Sequence, residues 1–279
     1  MRPVIFDASF ERFVARHFGE RGRTWLDTLL PVIERYASGW DLTVENFLPG
    51  GLTSCCVTAR NREQRPVVLK INGPWTSTAL EAAALRYWSP CSAPELLMAD
   101  ETCGVLLLER VIPGERFSPV PDDEDVAQVA RLICGLHAMA PDRETTTAFP
   151  SLGDVVEERI ATARKEAAAR SPTEENGLRP RLERAREVAA TLLGSRPGRP
   201  ALLHGDLEDR NILTCARRGL VAIDPVPCLG DPAYDAAYWA VEGQAGQPAR
   251  WRAERIAAHL GLDPHRVLRW AAVVGLRDI

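Results

Sequence analysis

One stretch of the chain concentrates side chains able to do chemistry. Leu203-His204-Gly205-Asp206-Leu207-Glu208-Asp209-Arg210-Asn211-Ile212-Leu213 is followed by Val221-Ala222-Ile223-Asp224-Pro225, so an Asp precedes an Asn by five residues and a second Asp by eighteen. At that spacing one carboxylate can orient an attacking hydroxyl while an amide and a second carboxylate hold Mg²⁺ on a nucleotide. Taken singly, Asp206 and Asn211 read as turn formers and Asp224-Pro225 as a strand end. Together they point to phosphoryl transfer.

The elements around these residues follow from pattern. An apolar run ends at His204, a polar turn follows, and two short apolar runs, Ile212-Leu213 and Leu220 to Ile223, flank a turn at Arg217-Arg218-Gly219. That is a loop and a hairpin, in which strands fix the polar groups and the loop leaves them accessible. Lysine usage singles out another residue, because the chain has only Lys70 and Lys165 against thirty-two arginines. Lys165 sits in a charged helical window, whereas Lys70 ends the apolar strand Pro66 to Ile71, where an ammonium needs a partner or ligand to offset desolvation. The following window, Thr76 to Trp88, has helical spacing of apolar residues and Glu81 as its only acid, which makes Glu81 the partner expected for Lys70.

Upstream, Leu42 to Arg60 alternates apolar and polar residues around Leu48-Pro49-Gly50-Gly51-Leu52-Thr53-Ser54 and reads as a hairpin. Its tip offers backbone N–H groups and the Thr53 and Ser54 hydroxyls to phosphate oxygens. Strands near Glu95 to Asp100 and Val105 to Val111 complete a five-stranded antiparallel sheet, and the chain breaks at Pro113-Gly114. From Pro121 the pattern is helical: Val126 to Ala140, Leu152 to Ala169, Leu178 to Leu193, Ala233 to Val241, Arg250 to Leu260 and His265 onward. The class is therefore α+β, with an N-terminal sheet region over 1–112, carrying a helical extension, and a mainly helical region over 113–279. The run Asp122-Asp123-Glu124-Asp125 reads as a helix start, since acids there complement the helix dipole. His137 reads as a packed histidine.

Composition bounds the partners. With 279 residues and 46% hydrophobic content the chain can bury a sizeable core, and a net charge of −4 leaves no electrostatic footprint for nucleic acid. Acids and arginines interrupt the N-terminal segment before a signal-peptide core could form, and no apolar run is long enough for a membrane span; the expected location is cytoplasmic. The seven cysteines include no Cys-x-x-Cys pair and lie mostly in apolar contexts, so buried thiols are expected in preference to disulfides or a zinc site. Nothing in the sequence fixes the oligomeric state.

The His204-Gly205-Asp206 and Ile223-Asp224-Pro225 segments resemble the aminoglycoside phosphotransferase group of the protein-kinase-like fold. Within that group, the run from Asp224 to Gly230-Asp231-Pro232-Ala233-Tyr234-Asp235, the segment Leu106 to Arg110 and the N-terminal helix pair before Trp40 resemble the streptomycin 6-phosphotransferase and hydroxyurea kinase branch. The resemblance implies a two-lobed kinase-like fold using ATP or GTP with Mg²⁺. It implies Asp206 as the base, Asn211 and Asp224 as metal ligands, and Lys70, held by Glu81, on the α- and β-phosphates. It also implies backbone groups of Glu109 and Val111 on the adenine edge, and Thr53 and Ser54 near phosphate. The acceptor it implies is a small cationic molecule, streptomycin or a related aminoglycoside, lying against Asp231, Asp235, Glu242 and Asp278, with Glu208 beside the loop. Glu208 departs from the histidine of many members, and Asp231 doubles as a helix cap.

Overall fold

The computed structural model describes residues 6–49, 51, 53–88, 92–118, 122–142, 147–195, 198–242 and 248–275. The chain divides into two compact units, the described residues through Trp88 with Pro94–Val111, and Ser92 and Ala93 with the described residues from Ile112 onward.

In the first unit, helix α1 (Ala8–Gly39) is capped by Asp7, whose carboxylate accepts from Ser9 N at 2.7 Å, and is broken at Gly19 by a left-handed φ of 60°. It precedes strands β1 (Thr43–Leu48), β2 (Ser54–Arg60) and β3 (Pro66–Asn72), helix α2 (Thr78–Trp88), and strands β4 (Leu96–Asp100) and β5 (Val105–Glu109). The sheet is antiparallel throughout, in the order β1-β2-β3-β5-β4, as the alternation in the sequence requires. Side chains along a strand point alternately to its two faces. Val67, Leu69 and Ile71 of β3 accordingly join the core formed with Phe10, Val14, Leu29 and Ile33 of α1, which puts Lys70 and Asn72 together on the opposite face. The sheet therefore presents its one lysine to α2.

The second unit opens with β6 (Pro113–Arg116) and α3 (Asp123–Leu136), followed by α4 (Leu152–Arg170) and α5 (Pro172–Gly194). The acidic run starts α3 as its pattern indicated, for Asp122 accepts from Asp125 N at 2.9 Å as the N-cap. A reciprocal pair, Ser151 and Asp154, starts α4 in the same manner. Next come β7 (Ala201–Leu203), a 3₁₀ turn at Asp209–Asn211, β8 (Ile212–Cys215), β9 (Gly219–Ala222) and β10 (Cys228–Gly230). Strands β6, β8 and β9 form one small sheet and β7 with β10 another. Helices α6 (Ala233–Glu242), α7 (Ala249–Leu260) and α8 (Pro264–Val274) complete the unit. From Ala233 to Ala240 every residue of α6 is buried, including Tyr234, Tyr238 and Trp239, so this helix forms the centre on which the catalytic hairpin rests. No helix among the described residues is long and apolar enough to cross a membrane. Cys55, Cys56, Cys103, Cys134, Cys215 and Cys228 are free thiols.

Candidate active site

The first unit holds a buried cation and its counter-charge. Lys70 Nζ donates to Glu81 Oε1 at 2.6 Å, with Lys70 4% and Glu81 3% exposed. A buried ion pair is stable only when its remaining hydrogen-bonding capacity is met. Asn72, one strand period beyond Lys70, meets part of it by donating Nδ2 to Glu81 Oε2 at 2.8 Å. Both carboxylate oxygens of Glu81 are thus fixed and the ammonium is aimed. At the β1–β2 tip, the Thr53 carbonyl accepts from Gly73 N at 3.0 Å and from Trp75 Nε1 at 3.1 Å, while Ser54 is buried opposite Asn72 in the β2–β3 ladder. Gly50 and Leu52 of that tip lie outside the described residues. Glu109 closes β5 with its N–H on the Glu95 carbonyl at 2.9 Å, and Val111 is buried two residues later.

The second unit gathers Asp206, Asn211 and the Asp224 segment. Asn211 Nδ2 donates to the Asp206 carbonyl at 2.8 Å and to Asp206 Oδ2 at 3.0 Å, committing the amide nitrogen to the loop and leaving the amide oxygen as the atom of Asn211 that could meet a metal. Ile223 N donates to the Asn211 carbonyl at 2.9 Å, so the β8–β9 pairing holds the segment carrying Asp224 beside Asn211. Asp224 has a left-handed φ of 57°. For a residue other than glycine that conformation costs on the order of 1 kcal/mol or more and recurs at functional sites. The donors available, one amide oxygen and one carboxylate, are hard oxygens, and with phosphate oxygens and water they suit Mg²⁺. Among the described residues no group of three or more His, Cys, Asp or Glu side chains could hold a metal.

Three further contacts set the loop. Gly205 has φ +75°, and a Cβ there would lie 2.1 Å from the Val226 carbonyl oxygen, so both conformation and space require glycine. His204 donates Nε2–H to the Ile223 carbonyl at 3.0 Å, which leaves Nδ1 to accept from Asp206 N at 3.4 Å. Burial pushes this imidazole below its usual value, so it is neutral. Asp235, fully buried on α6, accepts from His204 N at 2.8 Å and Gly205 N at 2.9 Å and meets His137 Nε2 at 2.9 Å. Burial alone would raise the Asp235 carboxyl, but the His137 hydrogen bond, the nearby His204 and the Gly205 N–H outweigh it and hold it below the usual carboxylate range.

These contacts correct the acceptor assignments. Asp235 has both oxygens turned into the loop backbone and no exposed surface, so it positions His204 and Gly205 and does not meet an acceptor. Asp231 does cap α6, accepting from Ala233 N at 3.0 Å, while its other oxygen takes Arg266 Nε at 2.5 Å and Trp270 Nε1. It too is structural, being 3% exposed. Glu208 is buried and paired with Arg210 at 2.7 Å. Glu242 ends α6 with its side chain outside the described residues, as is Asp278 altogether. His137 is packed, as its helical position indicated, yet its contact is this buried carboxylate.

Two residues beside Asp206 carry no sequence signal. Tyr238 donates its hydroxyl to Asp206 Oδ1 at 2.6 Å, and Arg159 Nη2 lies 3.5 Å from the same oxygen. Tyr238 stands one turn after Asp235 on a wholly apolar-looking helix, and Arg159 is one of thirty-two arginines in an ordinary amphipathic window. Only the helical i, i+3 relation to Asp235 places Tyr238 on the loop-facing side.

Comparison with known proteins gives the family and the fold. A model of the aminoglycoside/hydroxyurea antibiotic resistance kinase family matches residues 39–277. Streptomycin 6-kinase of Streptomyces glaucescens is 28% identical over 264 residues, spanning 92% of this chain and 83% of that protein. Hydroxyurea phosphotransferase of Kitasatospora aureofaciens is 28% identical over 257 residues, spanning 91% and 73%. Among solved structures, a choline/ethanolamine kinase family protein from Mesorhizobium loti superposes with TM-score 0.63 at 21% identity, covering 89% of this chain and 83% of that one. The GDP complex of wild-type aminoglycoside 2′-phosphotransferase-IIIa gives 0.62 at 17%, covering 89% and 88%. These two likenesses establish the kinase-like fold.

Proposed function

The chain belongs to the aminoglycoside/hydroxyurea antibiotic resistance kinase family, and on that premise we propose that it transfers the γ-phosphoryl group of ATP or GTP, with Mg²⁺, to a hydroxyl of streptomycin or a related guanidino-aminocyclitol. The observation that carries this reading is the Asp206–Asn211 pair, locked by two hydrogen bonds and tied through Ile223 to Asp224. Asp206 orients the acceptor O–H and takes its proton as the new O–P bond forms and the bond from the γ-phosphorus to the β,γ-bridging oxygen breaks, releasing the nucleoside diphosphate. Asn211 Oδ1 and the Asp224 carboxylate would hold the metal, whose charge offsets that of the phosphates. Lys70, aimed by Glu81, aligns the α- and β-phosphates, and the backbone of Glu109 and Val111 receives the base. Thr53 lies at the tip next to the phosphates. A loose transition state asks for positioning and charge neutralisation more than covalent chemistry, and these residues supply both. Dependence on a nucleoside triphosphate supports a cytoplasmic location.

A second reading, a kinase for another small hydroxylated compound, is favoured by the equal identity to hydroxyurea phosphotransferase. One experiment separates the two: incubation with MgATP or MgGTP and a panel holding streptomycin, other aminoglycosides, hydroxyurea, choline and ethanolamine, with mass detection of product. Streptomycin gaining one phosphoryl group supports the first reading. Phosphorylation of hydroxyurea or an amino alcohol in its place supports the second, and no product from any acceptor defeats both.

A further inference from the structure

Asp206 is gripped from inside the protein by more than its own loop. Oδ2 receives Asn211 Nδ2 at 3.0 Å, while Oδ1 receives the Tyr238 hydroxyl at 2.6 Å and lies 3.5 Å from Arg159 Nη2. Arg159 is held in turn: Nη2 donates to the Gly205 carbonyl at 2.6 Å, Nη1 to the Tyr234 hydroxyl at 3.1 Å, and its guanidinium carbon stands 5.0 Å from the Tyr238 ring centroid. Tyr238 is fully buried, whereas the Asp206 side chain keeps 11% of its surface exposed. The phenol therefore approaches the carboxylate from the protein side, while the guanidinium, whose side chain keeps 23% of its surface exposed, flanks the same oxygen.

We propose that Tyr238 and Arg159 are positioning residues for phosphoryl transfer, fixing the rotamer of Asp206 from α6 and α4 and occupying the inner lone pairs of Oδ1. A carboxylate has about four lone-pair sites, and a side chain with one free χ1 and a broad χ2 has little of its own to choose among them. Donors on both oxygens remove that freedom before the acceptor arrives, which is the preorganisation a near-attack geometry needs. The Arg159 charge also offsets part of the Asp206 charge. A cationic acceptor is then held by its hydroxyl and not drawn into an unproductive ion pair with the base.

The inference rests on Asp206 being the base, and the test keeps the two failures apart. Tyr238→Phe, Arg159→Gln, Asp206→Asn and the Tyr238→Phe/Asp206→Asn pair are compared for kcat, for KM of nucleotide and of streptomycin (or the panel acceptor that is turned over), for melting temperature and for MgATP or MgGTP affinity by calorimetry. Tyr238→Phe should lower kcat about ten-fold or more, the scale of one hydrogen bond to a charged group, with both KM values, nucleotide affinity and melting temperature near wild type. In the Asp206→Asn background the same substitution should change kcat less than about two-fold, because the oxygen it positions no longer acts as base. Arg159→Gln should repeat the kcat loss and raise streptomycin inhibition at high concentration. Wild-type kcat in Tyr238→Phe beside a crippled Asp206→Asn overturns the positioning role alone. Wild-type kcat in Asp206→Asn overturns the base on which it rests. If Tyr238→Phe loses its fold, Arg159→Gln decides the matter by the same readouts, and a kcat loss matched by a fall in melting temperature or nucleotide affinity marks a merely structural contact and overturns the proposal.

Discussion

Asp206 and Lys70 are the two residues whose chemistry has no substitute in this chain. Asp206→Asn keeps size but removes the proposed proton acceptor and turns one of its two accepting oxygens into a donor, so turnover should fall by roughly 10² or more, with nucleotide affinity near wild type. Near-wild-type turnover would remove it from the mechanism. Lys70→Arg keeps the charge but puts a wide planar fork where a compact ammonium meets Glu81 at 2.6 Å with 4% exposure. Its kcat/KM for nucleotide should drop at least ten-fold, and steady-state kinetics that match wild type would reduce Lys70 to a structural partner of Glu81. At this scale the sequence was legible where a residue type was rare or its spacing unusual: Lys70 stood out among arginines, and Asp206, Asn211 and Asp224 by their register. Asp231 and Asp235 stood out for the same reason, yet their roles differ from those the pattern suggested. Burial decides between a carboxylate that binds ligand and one that holds a loop, and burial at a helix start follows from tertiary packing. Tyr238 and Arg159 show the converse, since the role proposed for them exists only where two helices far apart in sequence meet.

The catalytic loop behaves as an element suspended from α6. Gly205→Ala would push a Cβ to 2.1 Å from the Val226 carbonyl oxygen and force a left-handed φ on alanine, so it should destabilise the second unit by about 2–4 kcal/mol or more and abolish turnover. A melting temperature within 1–2 °C of wild type would show that the loop can relax around the added carbon. The neutral His204 and the ionised Asp235 give the same element a pH response. Both groups lie below their usual values in the folded state, so on acidification the unfolded chain takes up protons first. Each contribution is complete above the group's unfolded pKa and is lost as pH falls towards its folded value. For His204 that loss begins near pH 6.5, and for Asp235 near pH 3.9. Melting temperature should therefore decline from about pH 7 to pH 5, and His204→Gln should be less stable at pH 7.5 but flatter across that interval. An equal slope in both proteins would place the acid sensitivity elsewhere. The helices and strands themselves were readable from period and caps, because each buries one face; the anchor from α6 was not, because backbone N–H groups of a loop carry no side-chain signature.

At the scale of the molecule, Lys70 belongs to the first compact unit and Asn211 and Asp224 to the second. The five-stranded sheet and the helical remainder were legible as a change of pattern, strand alternation as far as Val111 and mainly helical spacing from Pro121, whereas β6 was too short to show. Stability of the whole chain should then report ligation without any turnover. A ligand at about 100 times its Kd that binds only the native state adds about 2.7 kcal/mol. For a chain of this size that corresponds to a rise of roughly 5–10 °C in melting temperature. MgATP or MgGTP should produce such a rise in wild type, and the free nucleotide with EDTA a smaller one. In Asp224→Ala the metal-dependent part should vanish, because the substitution removes the one carboxylate among the proposed metal ligands. In Lys70→Arg the rise should shrink with and without metal alike, since that residue meets phosphate and not Mg²⁺. Scanning calorimetry of the three proteins under both conditions checks this directly. An Asp224→Ala protein that keeps the full difference between Mg²⁺ and EDTA would show that the metal is held by other oxygens, and the pairing of Asn211 with Asp224 as its ligands would have to be abandoned.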